Sequence, residues 1–218
     1  MRSKFDQQLA ALNQELTEMG ATCAQAIGLA AQALEQQDVA LAAPVGQLEE
    51  QTNEQERTIE ALCLKLLLQQ QPVARDLRQI SAALKMITDM ERIGDQAEDI
   101  AEIVAFLGGR QAENDALLKE MAKAVIQMVT ESVDAYVKCD IMLAKKVIAA
   151  DDGVDEQFAR VKQSLIGKIA ADPADGEYAL DLLMIAKYYE RIGDHATNIA
   201  EWVIYSVTGT HKDEITLT

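Results

Sequence analysis

The sequence predicts an all-α fold of two tandem, pseudo-symmetric three-helix bundles, with six long antiparallel helices in all. Apolar residues recur at spacings of three and four along the chain, as on the buried face of a helix. The chain is 49 % apolar with only 4 % aromatic residues and three prolines, a composition typical of helices. Segments 91–102 and 190–201 are identical at nine of twelve positions, which indicates an internal duplication.

The first helix should run from the N-terminus to about residue 37. One of its faces is apolar throughout, with Phe5, Leu9, Leu12, Leu16, Met19, Cys23 and Ile27. Asp38 is a good N-cap for a second helix, although Pro44 falls within its first turns and should start, kink or restart it. That helix is expected to continue to Gln70.

A third helix is predicted from residue 73 to about residue 107. Pro72 stops the preceding helix and suits the opening of the next one. Gly108 and Gly109 would end the third helix, because glycine adopts the left-handed C-cap conformation. At ~1.5 Å per residue this helix would be roughly 50 Å long, so the molecule should be elongated.

The same pattern then begins again. A fourth helix is expected over 114–138, a fifth from its cap at Asp140 to residue 171, and a sixth over 176–207 after a break at Pro173. Landmarks in the early part of each half differ by 121 − 19 = 102 residues, as Met19 and Met121 do, whereas the late motifs differ by 190 − 91 = 99. The predicted repeats are therefore residues 1–108 and 109–218, with a short deletion near Pro173.

The charge and composition exclude several classes of function. Thirty-six acidic against twenty basic residues give a formal charge of −16, which disfavours binding to nucleic acid or to an anionic membrane. The sequence has no uninterrupted apolar run of the ~18 residues that a spanning helix needs, and its start lacks a signal peptide's apolar block. The three cysteines form no Cys-x-x-Cys pair. We therefore expect a soluble, cytoplasmic protein without membrane insertion.

Paired acidic residues form the candidate site of each repeat. Residues four apart on a helix share one face, and neighbouring helices of a bundle bring two such pairs together. The first acidic face consists of Glu49, Asn53, Glu91 and Asp95, and the second acidic face of Asp151, Asp155, Glu190 and Asp194. Second-tier ligand candidates are Glu56, Asp99 and Asn198.

These faces are interpreted as metal sites. Carboxylate and amide oxygens favour hard ions such as magnesium, manganese, calcium or oxidised iron. Gly94 and Gly193 occupy the same mid-helix place, where glycine costs about 1 kcal/mol relative to alanine, so something there requires the absence of a side chain. The alternative is a solvated acidic surface that forms ordinary ion pairs with Arg92 and Arg191. His195 is interpreted as a structural or surface residue, and no catalytic residues are assigned.

The two Glu-Arg-Ile-Gly-Asp segments, 91–95 and 190–194, and the segment Gln-Pro-Val-Ala-Arg-Asp-Leu-Arg at 71–78 resemble the PhoU family. The resemblance covers nearly the whole chain. It implies a non-enzymatic, negative regulator of inorganic phosphate uptake and of the phosphate regulon. Such a protein would be a homodimer that links the ATPase subunit of the phosphate ABC transporter to the phosphate-sensing histidine kinase. It also implies that the acidic faces hold iron, manganese, magnesium or zinc.

The sequence departs from the family pattern at Asn53, where the motif has aspartate, so the first acidic face should bind metal more weakly, or with fewer ions, than the second. Glu56, one turn later, could compensate. Two other functions stay open from the residues alone: a carboxylate-rich metalloenzyme or metal-storage bundle, and a purely structural helical dimer.

Overall fold

The protein is described by a computed structural model that covers residues 2–70, 72–107 and 115–210. Within these ranges the chain forms six long α-helices and two 3-10 turns, and no strand. The helices are α1 (Arg2–Gln36), α2 (Val45–Gln70), α3 (Ala74–Phe106), α4 (Asp115–Lys138), α5 (Ile141–Ala171) and α6 (Gly176–Thr208). The all-α prediction is confirmed.

The cap at the start of α5 is as predicted, whereas the equivalent cap in the first repeat is not. The Asp140 carboxylate accepts hydrogen bonds from the backbone N–H groups of Met142 and Leu143. Asp38 instead caps only the 3-10 turn Val39–Leu41. The expectation that Asp38 caps the second helix is therefore wrong. Pro44 restarts the chain as a helix, and α2 begins at Val45.

The remaining helix ends lie close to their predicted positions. Val73 is the extended N-cap residue of α3, so this helix begins at Ala74, one residue after its predicted start. Pro173 opens a 3-10 turn, Pro173–Asp175, directly before α6. The proposed glycine C-cap at 108–109, the start of the fourth helix at residue 114 and the boundary between the predicted repeats lie outside the described residues.

The two repeats share one hydrophobic core. Helix α1 packs against α4 and α3 packs against α6, so both contacts join one repeat to the other. Helix α2 lies against α1 and α3, and α5 lies against α4 and α6. One cluster of buried side chains runs through all six helices. The tandem bundles of the sequence prediction are therefore fused side by side.

A pseudo-twofold relation connects the two repeats across the α3–α6 contact. The Asn198 side-chain amide donates to Asp89 Oδ1 at 3.1 Å, and Tyr188 lies close enough to Asp99 that burial and then the charge of Asp99 raise the pKa of the tyrosine. Adding the repeat offset of 99 to Asp89 and Asp99 gives 188 and 198. The duplicated positions thus contact each other with their roles exchanged, as in a symmetric pair.

None of the described helices combines the length and the apolar composition needed to cross a membrane.

Candidate metal-binding faces

The glycines in the middle of α3 and α6 let the outer helices approach closely. A Cβ atom at Gly94 would lie 3.2 Å from Cγ2 of Thr52 on α2. A Cβ atom at Gly193 would lie 3.2 Å from Oδ1 of Asp151 on α5. The missing side chain therefore makes room for a methyl group in the first repeat and for a carboxylate of the acidic face in the second.

The first acidic face brings its glutamates within electrostatic reach of one another. Burial raises the pKa of Glu91, and the negative charges of Asp95, Glu56 and Glu49 raise it further. The pKa of Glu56 is itself raised, first by burial and then by Glu60. Glu56 thus lies within electrostatic reach of Glu91 in this face.

All four residues of the first acidic face already have polar partners. The Arg92 guanidinium lies 3.1 Å from Asp95 Oδ2 and 3.5 Å from Glu91 Oε2. The Asn53 side-chain amide donates to the carboxylate of Glu49. These contacts offset part of the negative charge that a cation would otherwise neutralise.

The second acidic face is more crowded with negative charge. The pKa of Asp151 is raised to about 6 by burial and then by Asp194, Asp155 and Glu190. The pKa of Asp194 is raised too, by burial and then by Glu190. Asp194, Asp155 and Glu190 therefore lie within electrostatic reach of Asp151, and Asp155 and Asp194 are exposed while Asp151 and Glu190 are half-buried.

Lys187 and Glu98 belong to the faces, and the sequence analysis missed both. The ammonium of Lys187 pairs with the carboxylate of Glu190 and stands over the Phe158 ring, 5.5 Å from its centre. The spacing of three between Lys187 and Glu190 was a usable signal. The pKa of Glu98 is raised by burial and then by Glu49. Its counterpart in the second repeat is Thr197, so the duplication did not point to it.

The remaining second-tier candidates, Asp99 and Asn198, lie along the α3–α6 contact. Asn198 donates to Asp89, as described above, and His195 Nδ1 lies 2.8 Å from Asp89 Oδ1. The pKa of Asp99 is raised by burial and then by Glu102, and Asp95 of the first acidic face raises it as well. Asn198 therefore joins the two repeats, whereas Asp99 also lies within electrostatic reach of Asp95 in the first acidic face.

In the described residues, no three histidine, cysteine, aspartate or glutamate side chains stand in an arrangement that could hold a metal ion. The carboxylates of each face are instead neighbours that repel one another and partly turn towards Arg92 or Lys187. The chemistry of the donor set fits a hard cation, and the neighbouring carboxylates add to the effect of burial in raising the pKa of Asp151. Metal binding therefore stays a prediction.

Comparison with known proteins gives one consistent result. The PhoU domain family matches residues 16–104 and again 118–203. A Clostridium acetobutylicum protein described as a phosphate-specific transport system accessory protein PhoU homolog is 35 % identical, over 97 % of this chain and 98 % of its own. A Pseudomonas aeruginosa protein of the same description is 34 % identical over 99 % of this chain and 90 % of its own.

Solved structures agree with the sequence comparison. The crystal structure of PhoU from Pseudomonas aeruginosa superposes with a TM-score of 0.90, covering 94 % of this chain and all of that one at 34 % identity. The phosphate transport system regulatory protein PhoU from Streptococcus pneumoniae superposes with a TM-score of 0.87, covering 95 % of this chain and 98 % of that one at 26 % identity.

Proposed function

This chain belongs to the PhoU family, and from that membership we propose that it is a non-enzymatic adaptor which restrains phosphate uptake and phosphate-dependent gene expression. Its partners would be the ATPase subunit of a phosphate ABC transporter and a phosphate-sensing histidine kinase. The observation that carries the proposal is the near full-length similarity to phosphate-specific transport system accessory proteins. The adaptor would act in the cytoplasm as a homodimer.

The composition of the chain supports signalling by contact. Its long helices offer extended surfaces, and the sequence has no Gly-x-x-x-x-Gly-Lys loop that would cradle a nucleotide. The metalloenzyme alternative would need a buried metal site with an open coordination position. Asp155 and Asp194 are exposed to solvent, which favours the adaptor.

The acidic faces would bind hard metal ions, such as manganese, magnesium or iron. A cation placed between Asp151, Asp155, Glu190 and Asp194 would neutralise carboxylates that otherwise repel one another. The absence of a Cβ atom at Gly193 leaves the space that the Asp151 carboxylate needs. At the first face, Glu49, Glu91, Asp95 and Glu56 would supply the carboxylates.

The second acidic face would bind metal more tightly than the first. Arg92 contacts two carboxylates of the first face, and Asn53 adds no negative charge there. Lys187 forms an ion pair with Glu190 of the second face, and its charge also acts on Asp194 there without a direct ion pair. A cation at the first face would therefore compete with an arginine for both Glu91 and Asp95.

The adaptor proposal is tested by co-purification. The full-length chain, immobilised on resin, is mixed with the purified ATPase subunit or with the cytoplasmic part of the kinase, at high and at low phosphate. We expect each partner to be retained in at least one condition. Retention of neither partner at any phosphate concentration would refute the adaptor role.

The metal proposal is tested on the full-length chain by titration with Mn²⁺ after treatment with a chelator. Glu190→Ala with Asp194→Ala should remove the tighter binding phase, and the equivalent pair Glu91→Ala with Asp95→Ala should remove the weaker one. Identical affinities for the two phases would contradict the inequality. Unchanged binding in both double variants would contradict the site assignment.

A further inference from the structure

Exposed apolar side chains cluster where α2 turns into α3. We call this region the turn surface: Leu64 and Leu68 near the end of α2, and Val73 and Leu77 at the start of α3. Their exposed fractions range from 47 % for Leu77 to 83 % for Leu68. Because the two helices are antiparallel and joined by this turn, the four side chains lie at one end of the molecule.

The charged residues around the turn surface are mostly basic, although the protein as a whole is strongly acidic. Residues 61–88 contain four basic residues against one acidic residue, although the whole chain carries −16. Lys65, Arg75 and Lys85 are exposed. In the part of the chain that the structure describes, none of these three has a carboxylate within ion-pair distance. Their charges are thus available to the carboxylates of a partner.

A groove opens beside the turn surface, with a volume of about 300 Å³. Leu67, Leu77 and Leu84 line it together with Arg78, Ser81 and Tyr205. The Arg78 guanidinium donates to the Ser206 carbonyl near the end of α6, at 3.5 Å, which places a cation at the groove wall. A groove with leucine walls and an arginine at its edge suits an apolar side chain that is flanked by a carboxylate.

The second repeat lacks this chemistry at the equivalent place. The basic residues Lys65, Arg75, Arg78 and Lys85 correspond to Gly167, Ala174, Glu177 and Met184. Residues 163–187 contain two basic residues against four acidic ones. The basic and apolar combination is thus a property of the first repeat and does not follow from the duplicated fold.

We propose that the turn surface is a docking site for an amphipathic segment of a partner protein, in which apolar side chains are flanked by carboxylates. The apolar side chains would cover Leu64, Leu68 and Leu77, and the carboxylates would pair with Lys65 and Arg75. Charge complementarity identifies the acidic character of the segment. The biological identity of the partner rests on the adaptor role proposed above, whereas the chemistry of the segment does not.

An anionic membrane would also attract basic and apolar residues, but it fits this molecule less well. The groove beside the turn surface takes an individual side chain, for which a lipid surface has no equivalent. The net charge of −16 on the whole chain would also repel an anionic bilayer.

The experiment compares two double variants of the full-length chain. The turn variant carries Leu64→Glu and Leu77→Glu, and the control variant carries Ile166→Glu and Leu180→Glu in the second repeat. Ile166 and Leu180 are exposed by 50 % and 57 %, close to Leu64 at 48 % and Leu77 at 47 %. Both variants add the same charge at exposed helical positions, and circular dichroism verifies that each is folded.

The probes are synthetic helical peptides of about 18 residues with leucine on one face and either glutamate or lysine on the other. We expect the glutamate peptide to bind the unmodified chain and the control variant, and to bind the turn variant about tenfold more weakly. Added salt should weaken this binding, and the lysine peptide should not bind.

The inference is overturned if the glutamate peptide fails to bind the unmodified chain, or binds the turn variant equally well. Binding to phosphatidylserine vesicles is measured for the same proteins. The inference is also overturned if the turn variant loses binding to these vesicles but keeps its binding to the glutamate peptide. The co-purification described above is run in parallel with the same variants. Failure to retain either partner would refute the adaptor role, while the peptide result would still decide the chemistry of the turn surface.

Discussion

At the scale of single residues, the two mid-helix glycines offer a matched test, because the same substitution meets different neighbours. At Gly94 a new Cβ would crowd Cβ and Cγ2 of Thr52, a fully buried side chain whose hydroxyl donates to the Leu48 carbonyl. Because Thr52 is buried and hydrogen bonded, its side chain cannot rotate away from the new Cβ atom. Gly94→Ala should therefore destabilise the protein by about 1 kcal/mol, because overpacking outweighs the gain in helix propensity.

Gly193→Ala should behave differently, since its new Cβ would meet Oδ1 of the half-buried Asp151, which can rotate. We expect the metal-free protein to keep its stability or gain up to about 1 kcal/mol, while Mn²⁺ binding at the second acidic face weakens. Urea unfolding and Mn²⁺ titration of both variants measure these effects. Equal changes in stability for the two variants would contradict this reasoning.

The raised pKa of Asp151 predicts how stability depends on pH without metal. A carboxyl whose pKa is about 6 in the folded state and 3.8 ordinarily favours folding only while protonated. Its contribution is complete below about pH 4 and is lost as the pH rises through 6. Asp151→Asn removes this loss. Relative to the unmodified protein, the variant should gain on the order of 1 kcal/mol between pH 4 and 7, after allowance for solvent screening.

The measurement is urea unfolding in a chelator at several pH values from 4 to 8. Glu156→Gln, an exposed position on the same helix, serves as the control and should show no such pH-dependent gain. A stability difference between Asp151→Asn and the unmodified protein that does not change with pH would show that ionisation of the Asp151 carboxyl is not its cause.

The paired carboxylates of the acidic faces could be predicted from the sequence, because spacing by four and duplication are visible in it. Glu98 and Lys187 could not be assigned in the same way, since neither is repeated in the other half. Their membership depends on which neighbour each flexible side chain approaches, such as Gly46 for Glu98. That information arises only when α2 and α3 are placed together.

At the scale of helices, the two equivalent cap residues predict unequal effects. Asp140 accepts two backbone hydrogen bonds at the start of the long helix α5, whereas Asp38 accepts one at a short 3-10 turn. Asp140→Ala should cost about 1 kcal/mol of unfolding free energy. Asp38→Ala should cost clearly less. Thermal unfolding of the two variants measures the difference, and an equal loss would mean that the turn contributes as much stability as the helix start.

Helix ends were predictable because proline and cap residues act locally. The error at Asp38 has a physical cause in Pro44, which has no N–H group and whose ring disfavours helical geometry in the residue before it. A helix that started at Asp38 would have to pass through that position. The second repeat has Lys146 in place of Pro44, so α5 can begin directly after Asp140.

At the scale of the whole molecule, the sequence reveals that the chain is duplicated but does not reveal how the copies pack. The apolar face of α1 must be covered, and either its own repeat or the other one could supply that cover. In the structure, α2 and α3 of its own repeat and α4 of the other repeat all pack against α1. A Cβ atom added at Gly20 on α1 would lie 3.0 Å from Cγ2 of Val133 on α4. The Tyr136 hydroxyl of α4 donates to the Gln79 carbonyl of α3 at 2.8 Å, which is a second contact between the repeats.

This shared core predicts that the two halves do not fold separately. Chains 1–108 and 109–218 would each expose the apolar side chains that now lie between α1 and α4 and between α3 and α6. Each half would also lose its partner in the contact between Asp89 and His195. Losing the apolar contacts of these two helix pairs costs more free energy than the few kcal/mol by which a small domain is stable.

We therefore expect each half alone to unfold without a cooperative transition and to bind a hydrophobic dye, and the mixed halves to regain cooperative melting. Circular dichroism and size-exclusion chromatography of the separate and mixed halves measure this. A half that melts cooperatively as a monomer would show that each three-helix repeat is an independent domain.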